Sequence, residues 1–257
     1  MKISNKVAVV TGGASGLGRA VCELLVASDA RVAIFDRNAE AGEALASQLG
    51  ERAVFALVDV TREDSVAAGV AKTMAAFGAI HVCVNAAGIA DAAKTVSDGQ
   101  PFPLDVWQKV IDVNLTGSFN VLRLAAVEMA KNTLPEGAEE RGVIINVSSG
   151  AASDGQMGQA AYSASKAGII GMTMPIARDL ADLGIRCVAI APGLFDTPMV
   201  AGIPKKVSEA IVNRMILFPR RMGAPAEIAM LVRSIVENSY INATCLHIDA
   251  GARMSAR

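Results

Sequence analysis

The chain has 257 residues, 52% of them hydrophobic and 19% charged, which suits one large α/β domain or two small ones with an ample core. A formal net charge of −1, with one Trp and two Tyr, argues against nucleic-acid binding, which calls for basic patches and stacking aromatics. No run of eighteen apolar residues occurs and the opening MKISNKVAVVTGG enters a strand almost at once, so no leader segment and no membrane partner are expected, and a cytoplasmic location is.

Along the chain, short β-branched runs alternate with longer helical patterns: KVAVVTG, ARVAIFD, AVFALVDV, HVCVNAAG, GVIINVSS, IRCVAIAPG and TCLHIDAG. The first six have nearly continuous apolar centres, the pattern of strands buried on both faces of a parallel sheet. Ala-rich segments between them, at 16–28, 38–49 and 63–78, are long enough for crossover helices. The expected architecture is a doubly wound, seven-stranded parallel sheet with helices on both faces, one α/β domain over residues 1–257. Two stretches, 90–105 and 131–142, are rich in Pro, Gly and charge and read as surface insertions. A third, 194–223, is long for a connection and lies where lids commonly cover a site.

The four cysteines (Cys22, Cys83, Cys187, Cys245) lie far apart in apolar contexts without C-x-x-C spacing, so reduced buried thiols are expected. His81 and His247 sit among strand-like residues with no Ser or Cys partner, which leaves neither histidine catalysis nor a metal site in view.

The first strand runs into T-G-x-x-x-G-x-G: Thr11, Gly12, Gly16 and Gly18, with Ser15 and Leu17 inside the turn. Glycines there let the backbone approach a pyrophosphate, and the following helix N-terminus offers free N–H groups to it, the context of a Rossmann dinucleotide site. Asp36, at the end of the second strand, is placed to accept hydrogen bonds from ribose hydroxyls and to repel a 2′-phosphate, pointing to NAD rather than NADP. Arg37 beside it would favour a phosphate, but Ser15 adds no second positive charge. Asp59 and Val60 end the third strand where an adenine edge would lie, and Asn85, Ala86 and Gly88 end the fourth with small residues that admit a cofactor.

In GQAAYSASKAGIIGM, Tyr162 and Lys166 stand one helical turn apart, with Ser149 thirteen residues before Tyr162 and Asn114 in VIDVNLTGSFNV. This set, behind the glycine turn and NAAG, resembles the catalytic tetrad of the short-chain dehydrogenase/reductase family. The resemblance covers the whole chain and includes Pro192, Gly193, Phe195 and Thr197 in a nicotinamide-binding segment. It implies Tyr162 as acid/base, Lys166 as its electrostatic partner and ribose ligand, Ser149 as a contact to the substrate oxygen, and Asn114 as support for a water chain. A free phenol titrates near ~10, and the neighbouring cation, helped by the positive charge of the nicotinamide, is expected to lower it. Alternation along the strand favours Ser149 over its neighbour Ser148.

Within the family, RGVIINVSS, IAPGLFDTPM and the phrase around Pro175 look like the branch that oxidises L-3-hydroxyacyl-CoA with NAD in fatty-acid metabolism. That implies short or branched acyl-CoA substrates, with Gln156 a candidate contact and Lys205 or Lys206 within reach of CoA phosphates. The branch also oxidises hydroxysteroids. Gly150 and Asp154 depart from the bulkier or longer residues expected there and bear on pocket width. Other readings are a 3-oxoacyl-carrier reductase using NADPH, against which Asp36 argues, and a non-catalytic NAD-binding scaffold, for which Tyr162 and Lys166 together would be needless. Finally, GSFNVLRLAAVEMA and AYSASKAGIIGMTMPIARDLA are apolar on more than one face, and the family pairs these helices in a four-helix bundle, so a homotetramer is expected.

Overall fold

The computed structural model describes residues 1–134, 136–201 and 205–253, the side chains of residues 205–207 and 211 excepted. The expectation for Lys205 and Lys206 therefore lies outside the described side chains.

Elements alternate from the start: β1 (Val7–Thr11), α1 (Gly16–Ala27), β2 (Arg31–Asp36), α2 (Ala39–Leu49), β3 (Ala53–Leu57), α3 (Glu63–Phe77) and β4 (Val82–Asn85). Two short strands, β5 (Val96–Ser97) and β6 (Gln100–Pro101), then form a small antiparallel hairpin. Helix α4 (Leu104–Ile111) continues through a π-helical turn, Asp112–Thr116, into α5 (Gly117–Ala130). There follow β7 (Gly142–Val147), α6 (Ala151–Asp154), α7 (Ala160–Asp179), β8 (Ile185–Pro192), α8 (Lys205–Met215), α9 (Pro225–Glu237) and β9 (Cys245–Ile248).

Local chemistry sets several of these ends. The Asn38 side chain accepts from the Ala41 N–H at 3.1 Å and starts α2, while Gly78, at φ 75°, closes α3 in the left-handed conformation. Glu63 and Asp64 in the first turn of α3 complement the helix dipole. Pro175 lies inside α7, where its missing N–H and ring cost roughly 3 kcal/mol in a regular helix.

The seven-stranded sheet has the order β3-β2-β1-β4-β7-β8-β9, with every pair parallel. The chain winds outward from β1 to β3, then returns to β4 on the other side of β1. That reversal opens a crevice at the carboxyl ends of β1 and β4. Burial on both faces explains the continuous apolar runs. Val10, Ile34, Ile145 and Val188 face one core with α1 and α9, and Val9, Phe35, Ile144 and Cys187 face the other with α3, α5 and α7. The cysteines are free; Cys22, Cys83 and Cys187 are buried and Cys245 half-buried. The segment Leu104–Ala130 is long and apolar enough to cross a membrane by length and composition, and half of its most apolar window is buried inside this protein.

Two of the three irregular stretches hold more structure than their composition implies. Residues 90–105 contain the β5–β6 hairpin and the start of α4. In 131–142, Glu140 is no surface charge: it accepts from Arg186 Nε at 2.8 Å and Nη2 at 2.6 Å, and pairs with the Met1 amine at 2.8 Å. Such a buried group is held by its partners, since burial of an unpaired charge is costly. The excursion 194–223 is pinned at its base, where Gly223 N–H donates to Leu194 O and Asp196 N–H to Gly223 O, both at 2.9 Å.

Candidate active site

At the switch point lies a cleft of about 480 Å³. Its floor at one end is the glycine turn. Gly12 and Gly16 have φ of 62° and 51°, left-handed values that glycine adopts without strain. A methyl on Gly18 would overlap the Gly12 carbonyl, so the turn can fold this tightly only with hydrogen there. The first turn of α1 carries no acidic residue and no side-chain cap. Its orphan N–H groups and positive dipole end thus face the turn, a cradle suited to a pyrophosphate. Thr197 leans over it: a methyl on Gly16 would lie 3.5 Å from Thr197 Cβ.

Asp36 ends β2 beside this turn. Its Oδ2 accepts from Ala14 N–H at 3.1 Å and its Oδ1 from Asn38 N–H at 3.0 Å, fixing the carboxylate at the rim of the cleft. Burial pushes the Asp59 carboxyl up, but hydrogen bonds from Thr61 and the charges of Arg37 and Arg62 outweigh that, and its pKa is lowered. The residues present fit a dinucleotide: glycines where a backbone must come close, a carboxylate where a ribose would lie, and small residues at Ala86 and Gly88.

At the other end, Tyr162 and Lys166 project from α7. Lys166 is buried, its Nζ donating to Val147 O at 2.8 Å and lying 5.7 Å from the Tyr162 ring centre. Burial lowers its pKa from 10.5 to about 8. In the protein alone, burial raises the Tyr162 pKa, against a hydrogen bond with Ser149 that lowers it. Ser149 Oγ also accepts from Ala151 N–H at 3.1 Å. Ser148, by contrast, donates to Lys166 O at 2.7 Å and pins the helix to the strand.

Two of the expected site residues do not line the cleft. Asn85 points into the sheet, its Nδ2 donating to Ser118 O at 3.2 Å and Asn146 Oδ1 at 2.8 Å. Asn114 lies behind the cleft on the π turn, a distortion frequent at functional sites. Its Oδ1 accepts from Ile89 N–H at 2.9 Å, and its Nδ2 donates to Ile89 O at 2.9 Å and Ser165 Oγ at 3.1 Å. It therefore holds the Gly88–Ile89 backbone over Lys166. The other expected residues line one cleft, from Gly12, Ser15, Leu17 and Gly18 through Asp59, Val60, Ala86 and Gly88 to Gln156, Pro192, Gly193 and Phe195.

Among the supporting residues, Thr11 opens the glycine motif, whereas Asn120, Arg123 and Gln159 had no recognisable sequence signal. Thr11 Oγ1 accepts from the Ala86 and Ala87 N–H groups, both at 3.1 Å, clamping two strand ends together. Asn120 Nδ2 donates to Val60 O at 3.0 Å from a buried position on α5, and Arg123 holds the Asn120 amide oxygen at 2.9 Å while pairing with Glu63 at 3.0 Å. Gln159 Oε1 accepts from Gln156 N–H at 2.9 Å. His81 is structural: its Nδ1 accepts from Val7 N–H at 3.2 Å, and burial, with the Lys6 charge, lowers its pKa to about 4.

A cleft that cradles a pyrophosphate at one end and sets a serine, a phenol and an ammonium at the other is equipped to move a hydride and a proton together. The class is that of the NAD(P)-dependent oxidoreductases. A family model described as short chain dehydrogenase matches residues 6–208, and the chain belongs to the short-chain dehydrogenase family. It is 50% identical over 254 residues to a Homo sapiens protein named 3-hydroxyacyl-CoA dehydrogenase type-2, covering 98% of this chain and 97% of that one. A Chlamydia muridarum protein named 3-oxoacyl-[acyl-carrier-protein] reductase FabG is 36% identical, with coverage of 96% and 97%. The crystal structure of a 3-hydroxyacyl-CoA dehydrogenase type-2 from Mycobacterium avium superposes with a TM-score of 0.93 at 37% identity, covering 100% of this chain and 98% of that one.

Proposed function

We propose that this enzyme oxidises an L-3-hydroxyacyl-CoA to the 3-oxoacyl-CoA with NAD⁺, on short or branched acyl chains. The observation that carries this is the meeting of Ser149, Tyr162 and Lys166 in the cleft whose other rim is Asp36. Half identity to a protein named for that reaction supports the substrate class. Asp36 supports NAD, because a fixed carboxylate accepts from ribose hydroxyls and repels a 2′-phosphate.

Ser149 donates a hydrogen bond to the substrate oxygen and orients it. Tyr162 takes the hydroxyl proton as the C3 hydride leaves. Bound NAD⁺ supplies the hydride-accepting carbon and a positive charge that favours phenolate. Lys166 adds a second cation and reaches the ribose, and Asn114 keeps the Gly88–Ile89 backbone and Ser165 in place around it. Gln156, backed by Gln159, contacts the acyl-CoA, and the described residues Leu194, Met199, Val200 and Met215 of the lid cover it.

We further propose a cytoplasmic homotetramer. The free cysteines suit a reducing compartment. Exposed Phe119 and Val127 on α5 and Met174 on α7 supply an apolar face for a second copy, behind the catalytic helix. A fully active monomer by light scattering at assay concentration would overturn the assembly. The reaction is tested with a panel of L-3-hydroxyacyl-CoAs, 3-oxoacyl carriers and hydroxysteroids, each with both cofactors. Turnover of hydroxyacyl-CoA with NAD⁺ is expected to lead; a preference for 3-oxoacyl carrier with NADPH would replace this reading with the reductase one.

A further inference from the structure

Beside Ser149 lies a second, smaller cavity of about 90 Å³, which shares Gly193, Leu194 and Met215 with the main cleft. One wall is Gly150 and the exposed Ser153, three residues apart and hence on one face of the α6 turn. Glycine at 150 has no backbone reason: its φ is −56° and its ψ −26°, ordinary helical values open to any residue. Nor has it a packing reason. A methyl there would meet only the Pro192 carbonyl oxygen, at 3.7 Å, an ordinary contact. The missing side chain at 150 and the short one at 153 are what leave the space. Leu194, Met215 and Ala252 give the lining apolar side chains that suit hydrocarbon, and His247 lines it as well. The outer rim is charged: Arg253 lies 3.7 Å from Asp154 and 3.1 Å from Asp249, and the Arg253 side chain is mostly solvent-exposed.

We infer that this cavity is a subsite for the short alkyl tail of the substrate alcohol, of about propyl size, and that Gly150 is its specificity-determining residue. The inference rests on the reading that Ser149 holds the carbinol oxygen, which puts the tail of C3 at the neighbouring residue. At about 90 Å³ the cavity has room for a few methylene-sized groups and no long chain. Each methylene buried there is worth roughly fourfold in binding, and methylenes passing the charged rim return to water and gain nothing. Selectivity for short chains then comes from where the apolar wall ends.

The test is kcat/KM for a 3-hydroxyacyl-CoA series of four, six and eight acyl carbons, in wild type, Gly150→Val and Ser153→Leu. Wild type is expected to gain roughly tenfold from four to six carbons and little from six to eight. Both variants should lose that gain, and NAD⁺ affinity by calorimetry should stay within twofold of wild type. Ser153→Leu fills the space from an exposed position, so it serves if Gly150→Val folds poorly. A six-to-four ratio within twofold of wild type in the folded variants would overturn the subsite, as would a wild type with no such gain. If no acyl-CoA is turned over, the substrate reading fails, and the cavity is tested alone with 2-alkanols of matching tails. The same loss in the variants would support it and a flat ratio overturn it.

Discussion

Replacing Lys166 by methionine is expected to destroy the enzyme and stabilise the fold. Burial holds the Lys166 ammonium at a pKa of about 8 against an ordinary 10.5. Between those values the unfolded chain binds a proton that the folded chain does not, so wild-type stability rises with pH across that window and is lowest below it. The difference of two to three pK units amounts to about 3 kcal/mol at pH 7. Methionine fills similar volume, is a good helix former and carries no charge. It forfeits the hydrogen bond to Val147 O, made at 2.8 Å, which returns ~1 kcal/mol. The net expectation at pH 7 is a variant more stable by about 2 kcal/mol, or roughly 4–8 °C in Tm. Near pH 10.5, where lysine is neutral in the folded chain and half neutral in the unfolded one, the advantage should vanish and reverse by roughly half a kcal/mol. Urea unfolding at fixed protein concentration, repeated from pH 7 to 10.5, reads both. The other titrating groups are common to the two proteins, so the difference curve isolates Lys166. A variant less stable at pH 7, or two parallel pH curves, would refute the assignment of a strained buried ammonium.

Tyr162→Phe should cut turnover by ~10²–10⁴-fold or more while NAD⁺ binding stays within a few-fold, and substantial residual activity would remove Tyr162 from the proton-transfer role. Asp36→Ala should weaken NAD⁺ by about 1–3 kcal/mol and relieve the barrier to NADP⁺; a wild type that already prefers NADP⁺ would contradict the cofactor reading. Asn120→Ala frees the Val60 carbonyl and should weaken NAD⁺ roughly fivefold or more, yet leave nicotinamide mononucleotide, which lacks the adenine half, unaffected. Equal weakening of both would mean that Asn120 serves the fold at large.

What the sequence made legible follows from the range of the interactions involved. Strands buried on both faces must be apolar at every position, so Val9 and Val10, or Ile144 and Ile145, announce a parallel sheet before any packing is known. The glycine turn is equally local, because the overlap that excludes a side chain at Gly18 comes from Gly12, six residues earlier. Ser148 and Ser149 both line the cleft, but Ser148 donates to the Lys166 carbonyl whereas Ser149 is the one hydrogen-bonded to Tyr162, as alternation favoured. The residues that stayed hidden act across long separations on groups with no motif of their own. Asn120 reaches Val60 sixty residues away, and Glu140 meets Arg186 across forty-six. Asn85 sits in a motif that suggests cofactor contact, yet its side chain follows the strand's alternation inward to Asn146.

The same distinction separates chemistry from specificity in this cleft. Proton transfer needs particular groups at fixed spacing, and one helical turn between Tyr162 and Lys166 records that need in the sequence. The electrostatics of the pair are another matter. Spacing sets the phenol beside an ammonium, whereas burial in the protein alone raises the Tyr162 pKa and the hydrogen bond with Ser149 opposes it. A positive charge brought to the cleft by a bound cofactor would favour the phenolate. Specificity, in contrast, is written in what is missing. A glycine at 150 with an ordinary backbone and no neighbour to crowd it reads as unremarkable until the space beside it is seen. Space is a property of several chain segments at once, here α6, β8 with its extension, and the lid, so within a common fold the substrate changes more readily than the reaction.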